Sequence, residues 1–150
     1  MAASPDDRQN ARAATLAQDI RGLVGKLKRR LREQSDAGDL TPSQTAVLLR
    51  LEKDGPATTS SLARAEGMRP QSMGTVIVAL ESAGLVHGSP DPKDGRQTIL
   101  SLTDRCREWI RESRAARQDW LFRTIQARLS PEEQNALTTA IALLQRIVDD

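Results

Sequence analysis

The sequence predicts a mainly α-helical fold with one small β-hairpin, and three observations lead to that class. Apolar residues recur at intervals of three and four over most of the chain, which is the period of amphipathic helices. Between residues 85 and 102 this pattern gives way to two short runs of strand composition around a loop rich in Pro, Asp and Gly. A Ser or Thr stands immediately before several helical stretches, where it can serve as an N-cap.

Composition excludes several classes of function. A chain of 150 residues can bury a substantial core in one domain. No apolar run approaches 18 residues and no charged start precedes an apolar segment, so we expect a cytoplasmic protein without membrane span or secretory signal. One Cys and one His cannot form an internal disulfide or a protein-only structural zinc site, and we expect no metal and no cofactor. The only His lacks the sequence context of an activated general base, and the sequence contains no phosphate-binding Gly loop. We therefore expect that the protein is not an enzyme.

Residues 1–12 lack periodicity and are predicted to form a flexible tail ahead of a single domain over residues 13–150. Residues 13–36 begin that domain with an amphipathic helix, followed by a polar loop around Gly38. The other face of this helix is basic, a pattern that usually marks a solvated surface and otherwise a contact with phosphate or an acidic partner. Its apolar residues are Leu16, Ile20, Leu23, Val24, Leu27 and Leu31.

Residues 41–102 contain the helix start and stop signals that are typical of a winged helix-turn-helix. Thr41, Pro42 and Gln44 form a capping-box start, and the helix that follows should end near residues 54–56. A second cap at Thr58 or Thr59 opens a short helix that Gly67 ends. A longer helix follows from Pro70 to Gly84, its inward stripe formed by Met73, Val76, Ile77 and Leu80. Strands at residues 85–87 and 97–102 then enclose the loop 90–96.

The longer helix is the predicted DNA-reading element. Its opposite face offers Gln71, Ser72 and Thr75, whose short or amide side chains suit base edges in a major groove, although a solvated face would look the same. Arg69 at the helix entrance could meet a phosphate or remain solvated. Gly74 in mid-helix costs roughly 1 kcal/mol relative to Ala, which indicates close approach either to DNA or to the preceding helix.

Residues 103–150 are predicted to form two long helices that, together with residues 13–36, mediate dimerisation. Thr103 caps the first of these helices, and Ser130, Pro131 and Glu133 make a capping box for the second. A winged domain does not need these helices for its own core, so their apolar faces favour a second copy of the chain. The predicted seams contain Cys106, Ile110, Trp120, Leu121, Ile125 and Leu129, and then Leu137, Ala140, Ile141, Leu144 and Val148.

The order of elements resembles the MarR family of winged-helix transcriptional regulators over about residues 14–148. Three strings carry the resemblance: residues 40–44 (LTPSQ), residues 79–86 (ALESAGLV) and the wing residues 91–96 (DPKDGR), which are similar to the family's D-P-x-D-x-R signature. The resemblance implies that Arg96 enters the minor groove, with Asp94 as its support and Lys93 beside it. It further implies an obligate homodimer on a near-palindromic operator, usually a repressor and often released by small aromatic or lipophilic ligands.

Charge and three isolated side chains leave alternatives open. Residues 58–100 carry four cations and four anions, which keeps a protein-binding winged-helix module as the alternative function. Cys106 lies on an apolar stripe and is interpreted as buried and structural rather than as a redox sensor. For Trp109 and Trp120, packing is favoured over the lining of an effector cavity.

Overall fold

The computed structural model of the chain describes residues 2–35 and 40–150, and it contains six helices and three strands within them. The helices are α1 Pro5–Glu33, α2 Pro42–Asp54, α3 Thr59–Ala65, α4 Pro70–Ser82, α5 Asp104–Arg128 and α6 Pro131–Val148. The strands are β1 Ala57–Thr58, β2 Val86–Pro90 and β3 Thr98–Leu102. The loop predicted around Gly38 lies outside the described residues.

The chain divides into two compact units. The winged unit contains the described residues 40–114, and the arm unit contains residues 2–35 with residues 115–150. Helix α5 belongs to both units, because the division falls after Arg114. No helix in the described part of the chain is long and apolar enough to cross a membrane.

Local signals set the helix boundaries of the winged unit. The predicted capping box of α2 is confirmed, because the Thr41 hydroxyl accepts from the Gln44 N–H and the Gln44 side chain accepts from the Thr41 N–H. Of the two candidate caps for α3, the structure selects Thr58. Gly67 and Gly84 end α3 and α4 with φ of 64° and 75°, a conformation that favours Gly. The winged helix-turn-helix arrangement that the sequence predicts is therefore present.

The sheet has one strand more than the sequence predicts. Strands β2 and β3 form the expected antiparallel hairpin, in which Val86 faces Leu102 and Pro90 faces Thr98. The short β1 pairs with the other edge of β3, so the strand order is β1-β3-β2. Strand β2 also continues to Pro90, three residues beyond the predicted end at residue 87. Pairing with β3 decides this extension, because the residues 88–90 have little strand propensity of their own.

The core lies entirely in the winged unit. Met73, Ile77 and Leu80 of α4 are buried and Val76 packs against them, as the predicted stripe requires. Helix α2, helix α3, the sheet and the start of α5 supply the rest of this cluster. The Thr103 hydroxyl accepts from the Cys106 N–H as the predicted cap of α5, and it donates to the Gly84 carbonyl oxygen at 2.7 Å. This pair of bonds fixes the start of α5 against the end of α4.

The prediction of a tail over residues 1–12 is wrong from residue 5 onward, because α1 begins at Pro5. The Ser4 hydroxyl accepts from the Asp7 N–H and the Asp7 carboxylate accepts from the Ser4 N–H, which completes a capping box. The predicted box at Ser130 and Glu133 is present at the start of α6. Neither α1 nor α6 contains a buried residue, so both helices have well-formed ends and uncovered apolar faces.

Candidate nucleic-acid interface

The exposed face of α4 carries the three side chains that the sequence predicts for base reading. Gln71, Ser72 and Thr75 are exposed, and they lie on the side of the helix opposite the buried Met73 and Leu80. The side chains of Gln71 and Ser72 form no hydrogen bond within residues 2–35 and 40–150, so both are available to an external partner. The Thr75 hydroxyl instead donates to the backbone carbonyl oxygen of Gln71 at 3.3 Å.

The entrance of α4 combines a cation with free backbone donors. Arg69 is the N-cap residue and is exposed, but its side chain forms no capping hydrogen bond. Pro70 follows at the first helical position, where a missing N–H costs nothing. The remaining N–H groups of the first turn and the positive end of the helix dipole favour an anion at this end. Arg69 therefore places an exposed positive charge next to the face that carries Gln71.

Side-chain turns build the wing from residues 91–96. The Asp91 carboxylate accepts from the Lys93 N–H at 2.8 Å, and the Asp94 carboxylate accepts from the Arg96 N–H at 3.1 Å. Asp94 Oδ1 also lies 3.6 Å from Arg96 Nε, so one carboxylate contacts both the backbone and the guanidinium of Arg96. The Arg96 side chain is nevertheless 95% exposed. Asp94 thus orients an arginine that projects from the wing with nearly its whole surface free.

Some of the cations in the winged unit already form ion pairs within the chain. Arg50 lies 2.6 Å from Glu66 and 3.3 Å from Asp54, and Arg114 forms two hydrogen bonds with Glu52. Hydrogen bonding to Glu66 raises the pKa of Arg50. By contrast, Arg69 and Lys93 have no ion-pair partner in the part of the chain that the structure describes. The unpaired cations therefore include Arg69 at the entrance of α4 and Lys93 on the wing.

The prediction missed one residue on this face, Val78. Its side chain is 63% exposed, whereas its neighbour Ile77 is 4% exposed. Val78 follows Gln71 by seven residues and Thr75 by three, so helical spacing alone could have placed it beside them. The prediction included only polar side chains for base reading, so it omitted the apolar Val78. We call Gln71, Ser72, Thr75 and Val78 the reading face of α4.

The structure also bears on the roles left open for Cys106, Trp109 and Trp120. Cys106 is fully buried in the core, and burial raises the pKa of its thiol, which suits the structural interpretation. Trp109 packs against the same core, and Trp120 is half-buried. His87 is exposed on β2. Among the described residues, no group of three or more His, Cys, Asp or Glu could hold a metal ion.

Comparisons with known proteins place this geometry in a family. The sequence pattern of the MarR family matches residues 40–98. An HTH-type transcriptional regulator of Mycobacterium bovis, Mb0904, is 36% identical over 91% of this chain and 95% of its own length. A transcriptional regulator of Pseudomonas aeruginosa PA01 of known structure is 34% identical, with a TM-score of 0.79 over 93% of this chain and 97% of its own. An S. aureus MepR variant bound to an oligodeoxyribonucleotide shares the fold, with a TM-score of 0.70 at 20% identity, over 89% of this chain and 98% of its own. The chain belongs to the MarR family of winged helix-turn-helix transcriptional regulators.

Proposed function

We propose that this protein is a homodimeric repressor that binds a near-palindromic DNA operator through the reading face of α4 and through the wing. The reading face itself carries no charge, and Gln71 and Ser72 present unpaired polar atoms on it. Such side chains recognise base edges in a major groove by hydrogen bonding. The single observation that carries the proposal is that one unit has both this uncharged exposed face on α4 and, on its wing, an arginine that is 95% exposed.

Arg96 is proposed to enter the minor groove next to the major groove that α4 occupies. A narrow A·T-rich minor groove has enhanced negative potential, and arginine is the side chain that most often exploits it. Asp94 supports this role because it holds both the backbone and the guanidinium of Arg96. Lys93 and Arg69 are proposed to contact phosphates. Since few cations are involved, the affinity should fall only modestly with salt.

The proposed dimer follows from the arm unit. Leu137, Ile141 and Leu144 of α6 recur at i, i+4 and i+7 and are all exposed, as are Leu16, Leu23 and Leu27 of α1. A surface of this kind is costly in water, and a second copy of the chain would cover it symmetrically. A two-fold dimer would place two reading faces on half-sites about 10 bp apart, which explains a near-palindromic operator. Repression would follow if that operator overlaps a promoter.

The resemblance to the family adds release of the operator by a small aromatic or lipophilic ligand. Titrating the protein–operator complex with compounds of these two classes tests this part of the proposal. A ligand of the proposed kind lowers the fluorescence anisotropy of the labelled duplex and raises the midpoint of thermal unfolding of the protein.

The central test is selection of duplexes from a random pool, followed by anisotropy titrations of the wild type and the Arg96→Ala variant. We expect a palindromic consensus, and we expect Arg96→Ala to weaken binding by about 1 kcal/mol or more while the dimer remains intact. Arg111→Ala is the matched control, because it removes the same charge from an exposed position on α5 of the same unit. Equal affinity of wild type and Arg96→Ala would exclude the wing from the mechanism. Weak, sequence-independent binding would instead favour a protein-binding module.

A further inference from the structure

The C-terminal half of the reading face is apolar. Val78 lies four residues after Gly74 and three after Thr75, so these three residues are neighbours on the helix surface. Val78 exposes 63% of its side chain, although β-branched apolar residues are usually covered. A single exposed valine needs no explanation by itself. This one shares the helix face with Gln71, which is proposed to read DNA.

Gly74 leaves an open gap next to Val78. A Cβ atom built on Gly74 would meet no atom of residues 2–35 and 40–150 within 4 Å, so close packing against the preceding helix does not require glycine here. The backbone does not require it either, because Gly74 is not among the glycines with positive φ. A mid-helix glycine costs about 1 kcal/mol relative to alanine. Of the two explanations offered by the sequence, only close approach of an external molecule remains.

Thr75 contributes a methyl group to the same place. Its hydroxyl donates to the Gln71 carbonyl oxygen, so its hydrogen is used within the helix. The methyl group is the part of this exposed side chain that has no such role. Gly74, Thr75 and Val78 together therefore offer an uncharged, apolar surface with a gap the size of a missing side chain.

We propose that Gly74, Thr75 and Val78 form a seat for the 5-methyl group of a thymine in each operator half-site. This inference rests on the proposed function. The thymine methyl is the apolar group that base pairs present in the major groove, where the other groups are hydrogen-bond donors and acceptors. Placing Val78 against those polar edges would remove their water without replacing its hydrogen bonds, which is unfavourable. The seat therefore selects thymine, while Gln71 and Ser72 recognise polar edges nearby.

The test replaces thymine by deoxyuridine, which removes the methyl group and keeps every base-pairing atom. In the selected operator, each thymine is replaced in turn, symmetrically in both half-sites, and affinity is measured by anisotropy. We expect one thymine per half-site whose replacement weakens wild-type binding about fourfold per half-site, the effect of burying one methyl-sized group. In Val78→Ala the same replacement should change the affinity less than twofold. Ser82→Ala, one turn further along the exposed side of α4, is the control and should retain the fourfold effect.

A second variant distinguishes an effect on protein stability from an effect on operator affinity. Gly74→Ala adds a good helix former without a clash, so the protein should become more stable while the added methyl fills the gap and weakens operator binding at least fourfold. Gly22→Ala in α1 is the matched control, because a Cβ there also meets no described atom within 4 Å. It should raise stability without changing operator affinity.

The outcomes distinguish this inference from the proposed function. Specific operator binding that no deoxyuridine replacement weakens by more than twofold would overturn the methyl seat and leave the proposed function standing. A methyl effect of equal size in wild type and Val78→Ala would also overturn it. Absence of any sequence-specific binding by the wild type would overturn both. Methyl dependence that disappears in Val78→Ala, with weaker binding by a stabilised Gly74→Ala, establishes the seat.

Discussion

The winged unit and the arm unit contain similar amphipathic helices, but they differ in how far the apolar residues of these helices are buried. In the winged unit, α2, α4 and the sheet converge, so that Leu62, Met73 and Leu80 are completely buried. In the arm unit, α1 has 29 residues and α6 has 18, and neither contains a buried residue. Their capping boxes define the helix ends, yet isolated helices gain little stability from propensity alone. The winged unit therefore covers its apolar residues with its own chain, whereas the arm unit leaves apolar faces exposed, which the proposed dimer would cover.

The largest expected effect comes from placing a charge in the apolar face of the arm unit. Ile141→Asp puts a carboxylate on the stripe shared with Leu137 and Leu144, and a charge buried in an apolar interface is strongly unfavourable. We therefore expect Ile141→Asp to convert the proposed dimer into a monomer at micromolar concentration, measured by light scattering.

Thr139→Asp is the control for this change, because Thr139 is exposed on the other side of α6. It should leave the dimer intact. Circular dichroism of the Ile141→Asp monomer should still show a folded, cooperatively melting winged unit. A dimer that survives Ile141→Asp would mean that α6 does not form the interface.

The next effect is the loss of core packing in the winged unit. Leu62 is fully buried, so Leu62→Ala should lower the free energy of unfolding by about 2–5 kcal/mol. This loss should be the same at low and high protein concentration, since the cavity lies within one chain. Denaturant unfolding at two concentrations measures both quantities.

Leu23→Ala in α1 is the counterpart in the arm unit, where Leu23 is 66% exposed in the single chain. Its destabilisation should appear through dimer dissociation and therefore change with protein concentration. If Leu23→Ala has a negligible effect at every concentration, α1 lies outside the interface and the contrast between the two units is confined to α6.

The smallest expected effect distinguishes two helix caps. Ser130→Ala removes an exposed capping box and should cost about 1 kcal/mol or less. Thr103→Ala removes both the cap of α5 and the bond to the Gly84 carbonyl oxygen, so it should cost about 1–2 kcal/mol. Denaturant unfolding of the two variants provides the comparison. Equal costs would mean that the bond to Gly84 adds nothing beyond the cap.

Local sequence signals accounted for most of the fold. Thr41 and Ser130 begin helices as predicted, and Gly67 and Gly84 end them, because capping depends on side chains within a few residues. The start of α1 was missed although Ser4 and Asp7 form a capping box whose spacing is visible in the sequence. Strand β1 was missed for a different reason. Its two residues have no period of their own, and only pairing with β3 makes them a strand.

The candidate site was predicted in part. Helical spacing placed Gln71, Ser72 and Thr75 on the face opposite the core, and the wing string identified Asp94 and Arg96. Val78 was overlooked because residue type, rather than position on the helix, guided the choice of base-reading side chains. That a Cβ at Gly74 would meet no described residue could be learned only from the folded structure, since it depends on the distance to residues far away in sequence.

The sequence by itself determined the helix ends, including the start of α1 that the prediction missed, the presence of the hairpin, and the family to which the chain belongs. These features depend on interactions within about four residues or on a continuous string such as residues 91–96. The tertiary structure decided which apolar stripes are covered, which cations are already paired, and that Val78 and the gap at Gly74 stand open on the reading face. Burial and ion pairing join residues that are distant in the chain, such as Arg50 with Glu66, and only the folded backbone brings them together.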